Sequence, residues 1–256
     1  MKASIMMVTY NRLNLTQKTF ETTLKNTGCN FDLIIIDNDS TDNTLEWIND
    51  NIKDYTVSYK IISLKKNMGI AYGRNLGLKI NDDFFNNDFL CTLDNDVIIN
   101  NNWLEKCCSI LQANNKIGAC GVNFEGTKYP ITTIKINNER SEQIQIKPRG
   151  NLGTAAEVFK KEIHDQIGFF ENYECYGHED AMYGFKIRQL GKILVYLKED
   201  GIHLGVEKED SGNYREMKNQ YWDINMKLFE KNIREYANKI KPLYLNFINY
   251  NKELER

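Results

Sequence analysis

Four short runs of β-forming residues (Ser4–Val8, Leu33–Ile36, Ser58–Leu64 and Phe89–Leu93) punctuate the first hundred positions, with helix-like segments between them. The intervening stretches Thr16–Leu24, Thr44–Asn51 and Ile70–Ile80 have helical length and patterning. Strands that alternate with helices must pair in parallel, because the chain returns to the same end of the sheet after each helix. A parallel sheet is covered on both faces, which explains why its strands read as continuous apolar runs. The fold class expected is therefore α/β, with a mostly parallel central sheet flanked by helices. Ligands on such sheets bind beyond the carboxyl ends of the strands. Polar residues gather at those ends: Thr9–Arg12, Asp37–Asp42, Lys65–Gly69 and Asp94–Asp96.

Beyond residue 100 the pattern loosens. Trp103–Gln112 and Ala181–Leu190 read as helices and Ile193–Leu197 as a strand. Residues 127–161 carry seven bases against three acids, so this segment is net +4 within a chain of net charge −2. It reads as a solvated loop or hairpin, or alternatively as a contact for a diphosphate or an anionic acceptor. A helix is expected from Asn213 onward, with Met217, Tyr221, Ile224 and Leu228 on the one face that packs back on the core. Pro242 closes it, and Tyr244, Phe247 and Tyr250 follow in a short tail.

Composition excludes little. Hydrophobic and charged shares of 41% and 27% are those of an ordinary soluble protein, and the near-neutral balance gives no pull toward nucleic acid or anionic membrane. No run approaches the ~20 apolar residues that span a bilayer. No signal segment is legible. The six cysteines lack a C-x-x-C pair and read as buried, reduced thiols, so a cytoplasmic location is expected.

The chemistry-bearing residues each admit a structural reading. Asp94 and Asp96 leave a buried strand at positions i and i+2, where two carboxylates can hold a hard cation such as Mg²⁺ or Mn²⁺. Asp-Asn-Asp is also ordinary turn chemistry. The turn Asp37-Asn38-Asp39-Ser40-Thr41-Asp42 can hydrogen-bond a base and ribose, or cap the next helix through Ser40 or Thr41. Gly69, Gly73 and Gly77 share a helix face at about 1 kcal/mol each relative to Ala, so a close neighbour must offset them. Arg74 suits a diphosphate through its planar fork, or forms a surface ion pair. His178-Glu179-Asp180 sits before a helix, where acids are favoured electrostatically and where one could instead act as a base. His203 alone reads as structural.

Taken in order, these segments resemble glycosyltransferase family 2, which has the GT-A fold. Thr9-Tyr10-Asn11-Arg12 resembles the family's first nucleotide contact, and Asp37 to Asp42 its second. Asn67 through Gly77 is similar to its Asn-x-Gly and Ala-Arg-Asn-x-Gly stretch, and Asp94-Asn95-Asp96 to its Asp-x-Asp motif. Gly168-Phe169-Phe170-Glu171 and Glu179-Asp180 resemble the acceptor-half motifs, and His203 falls where a metal-ligating histidine is frequent. The resemblance covers about residues 3–205.

It implies a GT-A domain over 1–205, with a nucleotide half to about residue 100 and an acceptor half from about 101, then a helical extension over 206–256. It implies a divalent metal, Mn²⁺ or Mg²⁺, held by Asp96, Asp94 and His203. The donor, a UDP-sugar, would meet Thr9, Tyr10, Asn11, Arg12, Asp37, Asp39, Asn67, Gly69, Arg74, Asp94 and Asn95. Asp180 would be the general base, and Glu171, His178 and Glu179 would contact sugar or acceptor. The implied reaction is transfer of one sugar to an acceptor hydroxyl with inversion. The acceptor could be a glycan, a lipid-linked saccharide, a peptide or a modified base in phage DNA. Asn38 departs from the second acid usual in the turn, and Glu171 follows two phenylalanines. Without a Gln-x-x-Arg-Trp motif, a processive synthase is disfavoured. A nucleotidyltransferase making sugar nucleotides, and a non-catalytic binder of them, are the competing classes. The first needs a Gly-rich basic loop after the first strand, and the second has no need of a base.

Overall fold

The computed structural model describes residues 2–55, 57–147, 150–173, 176–206 and 212–239. The first half runs β1 (Ala3–Thr9), α1 (Leu13–Thr19) with a π-helical turn Phe20–Leu24, β2 (Phe31–Asp37), α2 (Thr44–Asn51), β3 (Ser58–Ser63), α3 (Ile70–Ile80) with a second π-helical turn Asn81–Phe85, and β4 (Phe89–Asp94). After the short β5 (Val97–Ile98) come α4 (Trp103–Ala113), β6 (Ile117–Asn123), β7 (Ile131–Lys135), β8 (Ser141–Lys147) and β9 (Ala156–Lys160). The chain then forms α5 (Lys161–Ile167), α6 (Glu179–Gln189), β10 (Ile193–Asp200), β11 (Ile202–His203) and α7 (Gly212–Lys239).

Nine strands make one sheet in the order β3-β2-β1-β4-β9-β6-β10-β8-β7. Its first four strands are mutually parallel, as the alternation of strand and helix requires. β9 enters antiparallel between β4 and β6, and a β7–β8 hairpin extends the far edge. Period-2 alternation divides each buried strand between two cores. Ile5, Met7, Leu33 and Ile35 face Phe20, Ile48 and Trp103 on one side. Met6, Val8, Ile34 and Ile36 face Leu78, Ile163 and Tyr183 on the other.

The glycine face of α3 is explained by this packing. A Cβ on Gly73 would lie 2.8 Å from a methyl of Val8, and one on Gly77 would lie 3.0 Å from Met6. Close approach to β1 therefore excludes side chains there. Gly69 is not part of that face; it is the residue before the helix, at φ 84°.

Three expectations need correction. The turn after β2 caps through Asp42, whose carboxylate accepts from the amides of Leu13 and Thr44; Ser40 instead accepts from the Asn11 amide. The surplus charge of 127–161 is largely spent in ion pairs: Arg140 with Glu105 and Glu142, Lys147 with Glu125, Lys128 with Asp200, Lys160 with Glu162, and Lys161 with Asp165. The hairpin reading is the one seen, with β7 and β8 paired antiparallel.

Helix α7 forms, but the docked face differs from the one expected. Asn225, Phe229, Asn232 and Tyr236 meet the body of the protein, while Ile224 and Leu228 are exposed. Pro242, Tyr244, Phe247, Tyr250, Cys175 and Arg149 lie outside the described residues. Among the described residues no helix is long and apolar enough to cross a membrane, and five cysteines are free.

Candidate active site

A cleft of about 280 Å³ opens at the carboxyl ends of β1 and β4. Its lining includes Thr9, Tyr10, Arg12, Asn38, Asn67, Arg74, Asp94, Asn95, Asp96, His178, Glu179, Asp180 and His203. Residues from six separate stretches of sequence thus converge on one space.

Its centre is the turn leaving β4. The Asp94 amide donates to Ala155 O at 2.9 Å, and the Asn95 side chain donates to Thr16 Oγ1 at 2.8 Å. The hydroxyls of Thr19 and Thr23 bond the backbone of Val97, so the helix after β1 braces the turn from below. β5 then pairs antiparallel with β11, setting Val97 opposite His203, and the Leu204 amide donates to Asp96 O at 2.8 Å. That small ladder carries His203 back to Asp96 across more than a hundred residues of sequence.

One ligand atom from each of Asp94, Asp96 and His203 lies within 4.8 Å of the others. His203 Nε2 is 3.5 Å from Asp96 Oδ1, and the other Asp96 oxygen accepts from Arg12 Nη1 at 2.7 Å. Two carboxylates and an imidazole make a donor set suited to Mn²⁺ or Mg²⁺. The surroundings favour a cation as well, because Asp94, Asp96 and Asp180 outnumber the guanidiniums of Arg12 and Arg74. The residues present fit the metal.

Arg74 is buried, not a surface group. It donates to Asp94 Oδ1 at 3.0 Å and to Glu179 Oε1 at 2.8 Å, tying β4 to α6. Glu179 also accepts from the Gly177 amide. Burial, with the Asp180 charge beside it, pushes the Glu179 carboxyl up to about 7 despite Arg74. Asp180 stands at the start of α6, where its carboxylate accepts from Asn151 Nδ2 at 2.7 Å and from the Ala181 amide.

Several of the other candidates hold up the wall rather than line it. Asp37 is buried and accepts from Thr9 Oγ1 and from the Ser40 amide. Asn11 Oδ1 accepts from the Thr41 amide, Asp39 is exposed, and Glu171 pairs with Lys186. Asn67 does line the cleft, and its side chain accepts from the Gly69 amide. Asn38, set aside in sequence as a departure, lines the cleft and donates to Asn67 Oδ1 at 2.9 Å.

Two residues not singled out from the sequence belong to this neighbourhood. Glu157 on β9 is buried, and burial followed by the nearby Asp180 pushes its carboxyl up to about 8. Its Oε1 has no hydrogen-bond partner. A lone Glu in an apolar strand could have flagged it. The second is Trp222 of α7, which lines the cleft beside His178.

A family model for glycosyl transferase family 2 matches residues 4–174, about two thirds of the chain. The chain belongs to that family. An uncharacterized glycosyltransferase of Haemophilus influenzae (strain ATCC 51907 / DSM 11121 / KW20 / Rd) is 26% identical over 97% of this chain and 98% of its own length. Two further bacterial relatives match over 50% and 48% of this family 2 chain, which spans only 17% and 36% of theirs. Among solved structures, the mannosyltransferase of Pyrobaculum calidifontis in complex with GDP-Man and Mn²⁺ superposes with TM-score 0.63 at 14% identity, covering 97% of this chain and 70% of that one. GalNAc-T7 with UDP, GalNAc and Mn²⁺ superposes with TM-score 0.65 at 14% identity, covering 96% and 54%. Those likenesses establish the GT-A fold of this family 2 member.

Proposed function

We propose that the protein is a metal-dependent, inverting glycosyltransferase that moves one sugar from a UDP-sugar to an acceptor hydroxyl. The observation that carries this reading is the convergence of Asp94, Asp96 and His203 within 4.8 Å, in a cleft that also holds Asp180. Neighbours of the same fold hold Mn²⁺ with GDP-Man, or Mn²⁺ with UDP and GalNAc. A divalent cation on Asp94, Asp96 and His203 would supply Lewis-acid neutralisation of the departing diphosphate.

The protein's own groups do the rest. Tyr10, Asn38 and Asn67 line the nucleotide side of the cleft, and Arg12 and Arg74 hold the two aspartates in place. Asp180 accepts the acceptor's hydroxyl proton while the acceptor oxygen bonds to the anomeric carbon. The carbon–oxygen bond to diphosphate breaks on the opposite face, and the diphosphate leaves with the electron pair. Inversion follows from that in-line geometry. Glu179 lines the cleft and, bound to Arg74, holds α6 against β4.

The test is a panel of sugar nucleotides assayed with Mn²⁺, with Mg²⁺ and with chelator. One donor is expected to turn over only with metal, and Asp96→Asn is expected to lose that turnover. Equal turnover in chelator would end the metal reading.

A further inference from the structure

Trp222 stands outside the residues matched by the family model and belongs to α7, whose outward apolar face plays no part in the core. Its indole is 46% exposed, yet it lines the same cleft as Asp180. The other two tryptophans are accounted for by packing: Trp103 is buried and Trp47 packs edge-on against Phe20. Other large side chains are as exposed, Phe84 and Phe169 among them, but neither lines the cleft; what sets Trp222 apart is its place there with Asp180.

Its position is held with some care. The Trp222 ring lies 4.2 Å from the His178 ring, and Phe229, about two turns along the helix, stacks on that same imidazole at 5.4 Å and 17°. His178 adopts φ 68° and is buried, and its Nε2 lacks a hydrogen-bond partner, which is costly for a buried polar atom. A Cβ on Gly177, at φ 103°, would lie 3.2 Å from the indole. Asn225 of α7 donates to Tyr176 O at 2.8 Å and fixes the helix there. The segment leading into Asp180 is therefore shaped around Trp222.

We infer that Trp222 is the platform of an acceptor subsite for a saccharide, whose terminal pyranose stacks on the indole with a hydroxyl toward Asp180. This rests on the transferase reading above. One face of a pyranose carries polarised C–H groups that suit the electron-rich face of an indole. Its hydroxyls suit the carboxylates alongside, and being neutral it meets no repulsion from them. On the acceptor side the cleft presents the Asp180 carboxylate, and among the described residues no cation of β7 or β8 lines it, so a neutral acceptor suits it better than a phosphate-bearing one. Trp222 would thereby give the C-terminal helix a function: closing the acceptor side of a site whose donor side lies in the first hundred residues.

The experiment uses the full chain, wild type, Trp222→Ala and Trp222→Phe, with methyl β-D-glucopyranoside, methyl β-D-galactopyranoside and methyl α-D-mannopyranoside as probes. At least one glycoside is expected to change tryptophan emission saturably in the wild type, and neither variant should show that change. With the same glycoside as acceptor, Trp222→Ala should raise the acceptor's KM by about tenfold or more while moving the donor's KM by less than about twofold, and Trp222→Phe should fall between. Circular dichroism melts of both variants check that α7 stays folded, and Trp222→Phe keeps the test valid if Trp222→Ala loosens the helix. An unchanged acceptor KM, or emission that responds to single-stranded DNA and to none of the glycosides, would overturn the inference. Failure of the transferase reading looks different: no donor turns over in the wild type, while glycoside binding can still be read from emission.

Discussion

The two walls of the cleft solve the burial of polar groups in opposite ways. On the wall built from β1, β2 and the start of α3, polar side chains are tied into a network: Thr9 with Asp37, Asn11 with the Thr41 amide, and Asn38 with Asn67, which in turn holds the Gly69 amide. On the wall built from β9, α6 and α7, the accounts are left open. Glu157 Oε1 and His178 Nε2 lack partners, Glu157 and Glu179 are pushed toward neutrality, and Trp222 is exposed. A closed network gives a rigid, pre-organised surface of the kind that recognises a ligand without rearranging. An under-satisfied, acidic surface costs stability, and such strain concentrates where a ligand or a proton will arrive.

The largest effect should come from the open wall. Asp180→Asn is expected to lower kcat by roughly 10²–10⁴ with the donor's Kd unchanged, the range for loss of a general base. Retained kcat would move the base elsewhere. Next comes the strut joining the walls. Arg74→Met leaves Asp94 and Glu179 facing each other without their shared cation, and about 3–5 kcal/mol of stability should be lost in urea unfolding. A loss under about 1 kcal/mol would mean that water already screens the pair.

On the ordered side, Gly73→Ala drives a methyl against Val8 and should cost about 1–3 kcal/mol, a drop that thermal melts would register. A neutral result would show that α3 can move off β1. The smallest effect concerns Glu157. With its folded carboxyl at about 8 against an ordinary value near 4.3, the folded state holds a proton that the unfolded chain has lost over that window. Stability therefore falls as pH rises from about 4.5 to 8, and Glu179 adds in the same direction. Glu157→Gln should remove part of that slope. Over the single unit from pH 5.5 to 6.5 its Tm relative to wild type should rise by roughly 2–5 °C, about 1.4 kcal/mol in a chain of this size. A gap independent of pH would place the proton elsewhere.

Much of this molecule was legible from its sequence because the relevant signals are local. The runs at 4–8, 33–36 and 89–93 lie within strands, and α2 and α3 begin and end where their patterns do. Asp94–Asp96 falls at a strand end for the same reason, since the end of an apolar run marks where a strand leaves the core. Helix α7 was readable as a helix, but not by face: it carries apolar residues on two sides, and periodicity ranks hydrophobicity without knowing which side meets a partner.

Sequence alone thus determined the alternation of strands and helices, the parallel half of the sheet, and the gathering of polar residues at its carboxyl end. Only the tertiary structure decided that β9 would insert antiparallel beside β4 with Glu157 beneath the site, that the β5–β11 pair would be what brings His203 to Asp96 (a meeting the family resemblance implied), and that α7 would lay Trp222 against His178. The physical reason is range. Periodicity records which side of an element is buried, whereas register and docking depend on groups a hundred residues apart, whose meeting no local pattern encodes.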